Sequence, residues 1–217
     1  IQAWQANPRP ELIRNLETGD LLILDLTSEC RPQWGDPESE WYRKDGYGKH
    51  NWVYCMLLNY GANVGLHGKM DNVIDNYYLA KENLRARATL KGVGMTPEGI
   101  ENNPVMYELL MELPWRPERF TKEDWLKGYV KARYGKDEPV LQLAWGKLAN
   151  SIYNAPKELT QQGTHELVFC ARPGLDVYQV SSWSEMKDYY DPQEVIEAAR
   201  LMVSVADRYR GNTNFEY

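Results

Sequence analysis

The chain has 217 residues, a formal net charge of −6 and 43% hydrophobic residues, enough for one large domain or two modest ones with a packed core. The acidic balance argues against a general affinity for nucleic acid or anionic membrane, and no apolar run reaches membrane-spanning length. Three cysteines, Cys30, Cys55 and Cys170, and three histidines, His50, His67 and His165, fit neither a disulfide framework nor a zinc-site spacing, so no metal site is expected.

The chain begins at Ile1 and ends on the apolar-rich segment Asn214 to Tyr217, which suggests a piece of a longer protein whose location a missing leader does not reveal. Ile1 to Trp4 reads as the end of a strand. Arg9 to Leu16 has Leu12, Ile13 and Leu16 at helical spacing, with Pro10 suited to a first turn. Leu21 to Leu26 is nearly continuous apolar chain, the pattern of a parallel strand buried on both faces. Thr27, Ser28 and Glu29 then turn polar abruptly. The loop from Arg31 to His50 carries Trp34, Trp41, Tyr42 and Tyr47, too many rings for a passive linker.

Trp52 to Leu58 is the next buried strand, and it opens into the polar loop Asn59 to Gly65. One or two helices are expected over Leu66 to Leu90, with Asp71 as a cap and Val73, Ile74, Tyr77 and Leu84 as the apolar stripe. A short, glycine-rich strand follows and ends in Gly94-Met95-Thr96-Pro97-Glu98-Gly99, a loop that Pro97 stiffens. The repeated unit of strand, polar loop and helix is β/α architecture, from the last part of a barrel or of a doubly wound sheet. Three such strands cannot protect both sheet edges, so self-association or packing against the rest of the parent chain is expected.

After the helix Val105 to Leu113 the composition changes. Thr121 is a helix cap with Asp124 three residues on, and Trp125, Leu126, Tyr129 and Val130 follow at helical spacing up to Gly135. Glu138 to Tyr153 repeats the pattern. A loop from Thr160 to Cys170 leads to a long helix opened by Pro192, with Val195, Ile196, Ala199, Met202 and Val203 as its inner stripe. No convincing strand occurs in this half, which reads as a helical domain.

In a barrel the polar bursts after the strands gather at one face. Asp25, Glu29, Glu98 and Glu101 are then candidates for acid, base or nucleophile. Asn59 and Asn63 could bind hydroxyls, and Trp4, Trp52 and Tyr60 could stack on a sugar ring. A retaining glycosidase needs two carboxyls about 5–5.5 Å apart. The same asparagines serve equally well as loop caps, and the same tryptophans as core.

The segments LLILDLTSECRPQW, WVYCMLLNYGANVGLHGKMDNV, GVGMTPEGIENNPVMYELLMELPWR and CARPGL resemble the α-N-acetylglucosaminidases, glycoside hydrolase family 89, over essentially the whole chain. The resemblance implies α/β plus all-α architecture: the C-terminal portion of a (β/α)8 TIM barrel over residues 1–116, then the beginning of an all-helical domain over 117–217. It implies retaining removal of terminal α-linked N-acetylglucosamine from glycans, with Glu98 as nucleophile. Trp4, Cys55, Leu57 and Tyr60 then line the sugar pocket, with Asn59 beside them as a substrate-binding residue. It also implies a secreted, periplasmic or lysosomal parent and no cofactor. Leu58 stands where the family often has histidine, and Tyr60 where phenylalanine is common. The family's general acid, a glutamate at the end of an earlier strand, matches no segment here. A non-catalytic carbohydrate-binding fragment and a hydrolase for another hexosaminide are the alternatives.

Overall fold

The structure is a computed structural model that describes residues 1–5, 7–35, 37–38, 41–44, 46–58, 65–98, 103–157, 173–176, 179–181, 184–185 and 188–216, without the side chains of 179–185. The apolar runs of the first half pair as a four-stranded sheet in the order β1 (Gln2–Ala3), β2 (Leu22–Asp25), β3 (Asn51–Met56), β4 (Leu90–Met95). All three pairings are parallel, with Ala3 opposite Asp25, Asp25 opposite Tyr54 and Met56 opposite Met95. Parallel strands need a crossover between them. Helix α1 (Pro10–Asn15) follows β1, and α2 (Met70–Glu82) and α3 (Leu84–Thr89) lie between β3 and β4.

The expected repeat fails at one place. Between β2 and β3 the described residues form turns and no helix. Rings take the place of a helix there: Trp34 and Tyr47 each sit 5.7 Å from the Trp52 ring, centroid to centroid. Trp52 is therefore core rather than a sugar platform. It is fully buried, and its Nε1 donates to the Ala86 carbonyl at 2.8 Å.

The two faces of the sheet differ. Ile23, Trp52, Tyr54 and Met56 point toward the helices and join one core with Val73, Ile74 and Tyr77 of α2. On the other face Leu22 is 49% exposed, and Leu24 and Val53 are half-buried. Burial of β2 on both faces is thus not met among the described residues. Within the expected α2 stripe, Leu84 instead starts α3 and is exposed. Asp71 does not cap α2, which begins at Met70 after Lys69. Its carboxylate instead holds Lys122 Nζ at 2.6 Å and Asn154 Nδ2 at 2.8 Å.

Helix α4 (Pro104–Glu112) follows β4, and among the described residues the helical half has α5 (Lys122–Tyr134), α6 (Pro139–Asn150), α7 (Pro192–Ser204) and α8 (Thr213–Glu216). The α5 caps are as the sequence predicts: Thr121 Oγ1 accepts the Asp124 N–H at 3.2 Å, and Gly135 ends the helix at φ 83°. The α7 stripe is rotated from the expected one: Ala198 is buried and Val195, Leu201 and Met202 pack against the core, while Ile196, Ala199 and Val203 are exposed. A short antiparallel pair, β5 (Gln179–Ser181) with β6 (Ser184–Glu185), is also present, too short to give a periodic signal. The expected loop 160–170 lies outside the described residues.

The helical half is sewn to the sheet half through backbone. Met70 N–H donates to Tyr153 O at 2.9 Å and Ala155 N–H to Gly68 O at 2.8 Å. Gly68 permits that approach, since a Cβ there would lie 2.5 Å from Met106 Sδ and 2.9 Å from Tyr153 Cδ1.

Candidate active site

Because the strands are parallel, their C-terminal ends lie along one rim. That rim gathers Trp4, the Asp25–Glu29 stretch, Cys55 to Leu58, and Thr96 to Glu98. Trp4 packs with Cys30 and Leu57 on the side of the sheet away from the helices. Its ring meets Trp41 edge-on at 4.7 Å. Cys55 lies deeper on the same side, opposite Gly94. A Cβ on Gly94 would sit 3.0 Å from Cys55 Sγ and 3.2 Å from Val53 Cγ1, so glycine makes room for the thiol. Burial, then Asp25 and Glu29, push that thiol up to about 12. Cys55 is accordingly a neutral, buried thiol.

Of the four carboxylates that the sequence offers, two are committed elsewhere. Asp25 alternates onto the helix side of β2 with Ile23 and is fully buried. It accepts the Gln33 N–H at 3.4 Å and faces the Tyr47 phenol. Burial raises its carboxyl to about 7, against hydrogen bonds and the Arg43 charge that lower it. Glu29 sits in a tight turn closed by Arg31 N–H on Thr27 O at 2.7 Å. Its Oε1 accepts both Leu57 N–H and Leu58 N–H, at 3.2 and 3.1 Å. Burial raises it to about 7, opposed chiefly by those backbone donors. Both carboxyls are thus buried and bonded to internal backbone groups, whereas acid, base or nucleophile work requires a group open to the substrate.

Glu98 stands three residues past β4 on the rim and is exposed. Its loop is anchored by Thr96, whose N–H donates to Met56 O at 3.1 Å. The Thr96 hydroxyl is shared between Leu26 O at 3.3 Å and Met56 O at 3.2 Å. One side chain thus ties the ends of β2 and β3 to the loop two residues before Glu98. Sequence reasoning passed over Thr96. The signal was available in asking what satisfies the last carbonyls of β3. Asn59, Tyr60, Asn63 and Glu101 lie outside the described residues. Among the described residues no His, Cys, Asp and Glu cluster could hold a metal, and no helix is long and apolar enough to cross a membrane.

Two family profiles match the chain: the α-N-acetylglucosaminidase TIM-barrel domain over residues 1–117 and the α-N-acetylglucosaminidase C-terminal domain over 125–217. The chain is 32% identical to the human α-N-acetylglucosaminidase, covering all of this chain and 28% of that protein. A family 89 glycoside hydrolase from Clostridium perfringens, solved with PUGNAc, superposes with TM-score 0.81 at 28% identity, covering 99% of this chain and 23% of its own. A second structure from that organism superposes with TM-score 0.80 at 28% identity and the same coverage. It is a form with two glutamates replaced by glutamine, in complex with its substrate GlcNAc-α-1,4-galactose. The chain thus spans about a quarter of the length of these relatives.

Proposed function

The chain belongs to the α-N-acetylglucosaminidase family, glycoside hydrolase family 89, and from that premise we propose that the protein containing it removes terminal non-reducing α-linked N-acetylglucosamine from glycans with retention of configuration. The observation that carries this reading is the Thr96-Pro97-Glu98 loop, fastened to the ends of β2 and β3 at the rim of a parallel sheet. Rims of this kind are where barrel enzymes place their chemistry.

Glu98 is the nucleophile. Its carboxylate attacks the anomeric carbon of the sugar as the glycosidic oxygen leaves, giving a β-linked glycosyl ester. Water then cleaves the ester and restores the α-configuration. The proton for the leaving oxygen comes from a second carboxyl, which later takes a proton from that water. The resemblance to the family implies that this donor is a glutamate at the end of an earlier strand, outside these 217 residues, and Asp25 and Glu29 each accept internal backbone N–H groups. The substrate complex of a Clostridium relative with two glutamates replaced fits a two-carboxyl mechanism. Trp4 and Leu57, with Cys55 beneath, form part of the sugar pocket, and Asn59 and Tyr60 complete this chain's share of it. Residues 1–116 are the end of the barrel and 117–217 the start of the helical domain. The exposed face around Leu22 packs against the rest of the barrel.

The test compares the full-length protein with its Glu98→Gln variant on an aryl α-N-acetylglucosaminide. Activity that survives the substitution sinks the nucleophile assignment. The isolated 217-residue piece is expected to be inactive for want of the acid. Nitrophenol release by pure fragment, abolished by Glu98→Ala, would overturn that expectation.

A further inference from the structure

Glu29 is buried to 2% exposure, and the chemistry above gives it no part. Such a group is costly unless its bonds fix something worth fixing. The Thr27 to Arg31 turn that carries it is already secured without its side chain. Ser28 N–H donates to Cys55 O at 3.0 Å, and Asn76 Nδ2 of α2 donates to the Ser28 and Glu29 carbonyls at 2.9 and 3.3 Å. The carboxylate is therefore free to act on the next strand, where one oxygen takes two consecutive N–H groups, Leu57 and Leu58. Leu58 has φ 63°, a left-handed conformation that a leucine rarely adopts. Two converging donors to one carboxyl oxygen are what holds consecutive amides in such a bend. Immediately before the bend is the Met56 carbonyl that Thr96 grips. Tyr107 of α4 reaches the Leu57 carbonyl at 3.5 Å from the other side.

We propose that Glu29 is a positioning residue of the site: through the Leu57 and Leu58 amides it sets the bend by which the chain leaves β3, and so places both the Leu57 wall and the Met56 anchor of the Glu98 loop. The role rests on the proposed chemistry at Glu98, but its first effect is on backbone and can be read separately. Glu29→Gln keeps an oxygen for both amides, whereas Glu29→Leu keeps the volume and leaves two buried N–H groups unpaired.

The experiment uses the full-length protein, with both variants and Glu98→Gln in one panel. Three readouts are taken: kcat and KM on the aryl α-N-acetylglucosaminide, the pH profile, and hydrogen exchange of the peptide covering Leu57 and Leu58. Glu29→Gln is expected within about threefold of wild type, both limbs of its pH profile kept, while Glu29→Leu loses about 100-fold in kcat from a displaced nucleophile. Exchange at the two amides rises in Glu29→Leu only. Should Glu29→Leu fail to fold, Glu29→Asp, one methylene short of the amides, is expected to show the same exchange increase and a smaller kcat loss. Unchanged exchange together with kcat near wild type in the Leu or Asp variant overturns the proposal. So does a Glu29→Gln variant that loses a limb of its pH profile, because Glu29 would then handle a proton itself. If Glu98→Gln stays active, the nucleophile reading fails by itself, and exchange at Leu57 and Leu58 still decides the role of Glu29.

Discussion

On the helix side of the sheet, Trp52 donates to the Ala86 carbonyl and Tyr54 to the Val73 carbonyl, at 2.8 and 3.2 Å. At the rim, Glu29 and Thr96 bind backbone groups at the ends of the neighbouring strands. Both regions turn side-chain polar groups onto backbone, but to different ends. The first set closes off rings whose value lies in apolar packing. The second shapes the chain where it leaves regular structure, and its value lies in where Leu57 and Glu98 end up. Substitutions should therefore separate stability from turnover according to which region they touch.

The largest separation is expected at Glu98. In the full-length protein Glu98→Gln should lower kcat by about a thousandfold or more, with the thermal midpoint little moved because glutamine keeps the side chain's size and an oxygen acceptor. Trp52→Ala should do the reverse. Losing a fully buried indole costs about 3–5 kcal/mol, read from denaturant unfolding, while kcat per folded molecule stays near wild type. If Trp52→Ala instead lowers kcat with little loss of stability, the indole reaches the substrate after all and the comparison breaks.

This division was partly legible in the sequence. The parallel strands were announced by their continuous apolar runs, and α5 by Thr121 at one end and Gly135 at the other, since caps are local chemistry. A run such as Trp52 to Leu58, apolar throughout, does not reveal which of its faces meets the helices. That is why Trp52 could be taken for a sugar platform while Cys55 and Leu57 could not be told from core. Glu29 was unreadable for another reason. Its partners are backbone amides 28 and 29 residues away, and an amide carries no side-chain signature. That the described residues between β2 and β3 form no helix was hidden because Trp34 and Tyr47 pack on Trp52 from irregular chain.

Gly94 sharpens the comparison from between the two regions, as it lies in a strand with Cys55 opposite it on the side away from the helices. In Gly94→Ala the new Cβ meets Cys55 Sγ at 3.0 Å and Val53 Cγ1 at 3.2 Å. The overpacking should cost about 1–3 kcal/mol, and the displaced thiol should raise KM for the aryl substrate. A variant with lower stability and unaltered KM would mean that Cys55 is remote from the sugar.

The smallest effect concerns the sign of a pH dependence. The folded-state carboxyls of Asp25 and Glu29 are raised to about 7 from 3.8 and 4.5, in both cases mainly by burial. Between those values the folded chain keeps protons that the unfolded chain has released. Their contribution to stability is thus fully present below the unfolded values and is lost as pH rises through about 7. Asp124 at the start of α5 has the opposite sign. Its carboxyl is lowered by hydrogen bonds from Lys127 and Thr121, so whatever it adds is lost as pH falls. Being fully exposed, it is the weaker of the two influences. The unfolding free energy of the full-length protein should therefore decline from pH 5 to pH 7.5, by on the order of 1 kcal/mol for each buried carboxyl. Asp25→Asn should flatten that slope, because an amide has no proton to lose. A slope that Asp25→Asn leaves intact would mean that water reaches the carboxyl, and the rim would then be as wet as the surface around Asp124.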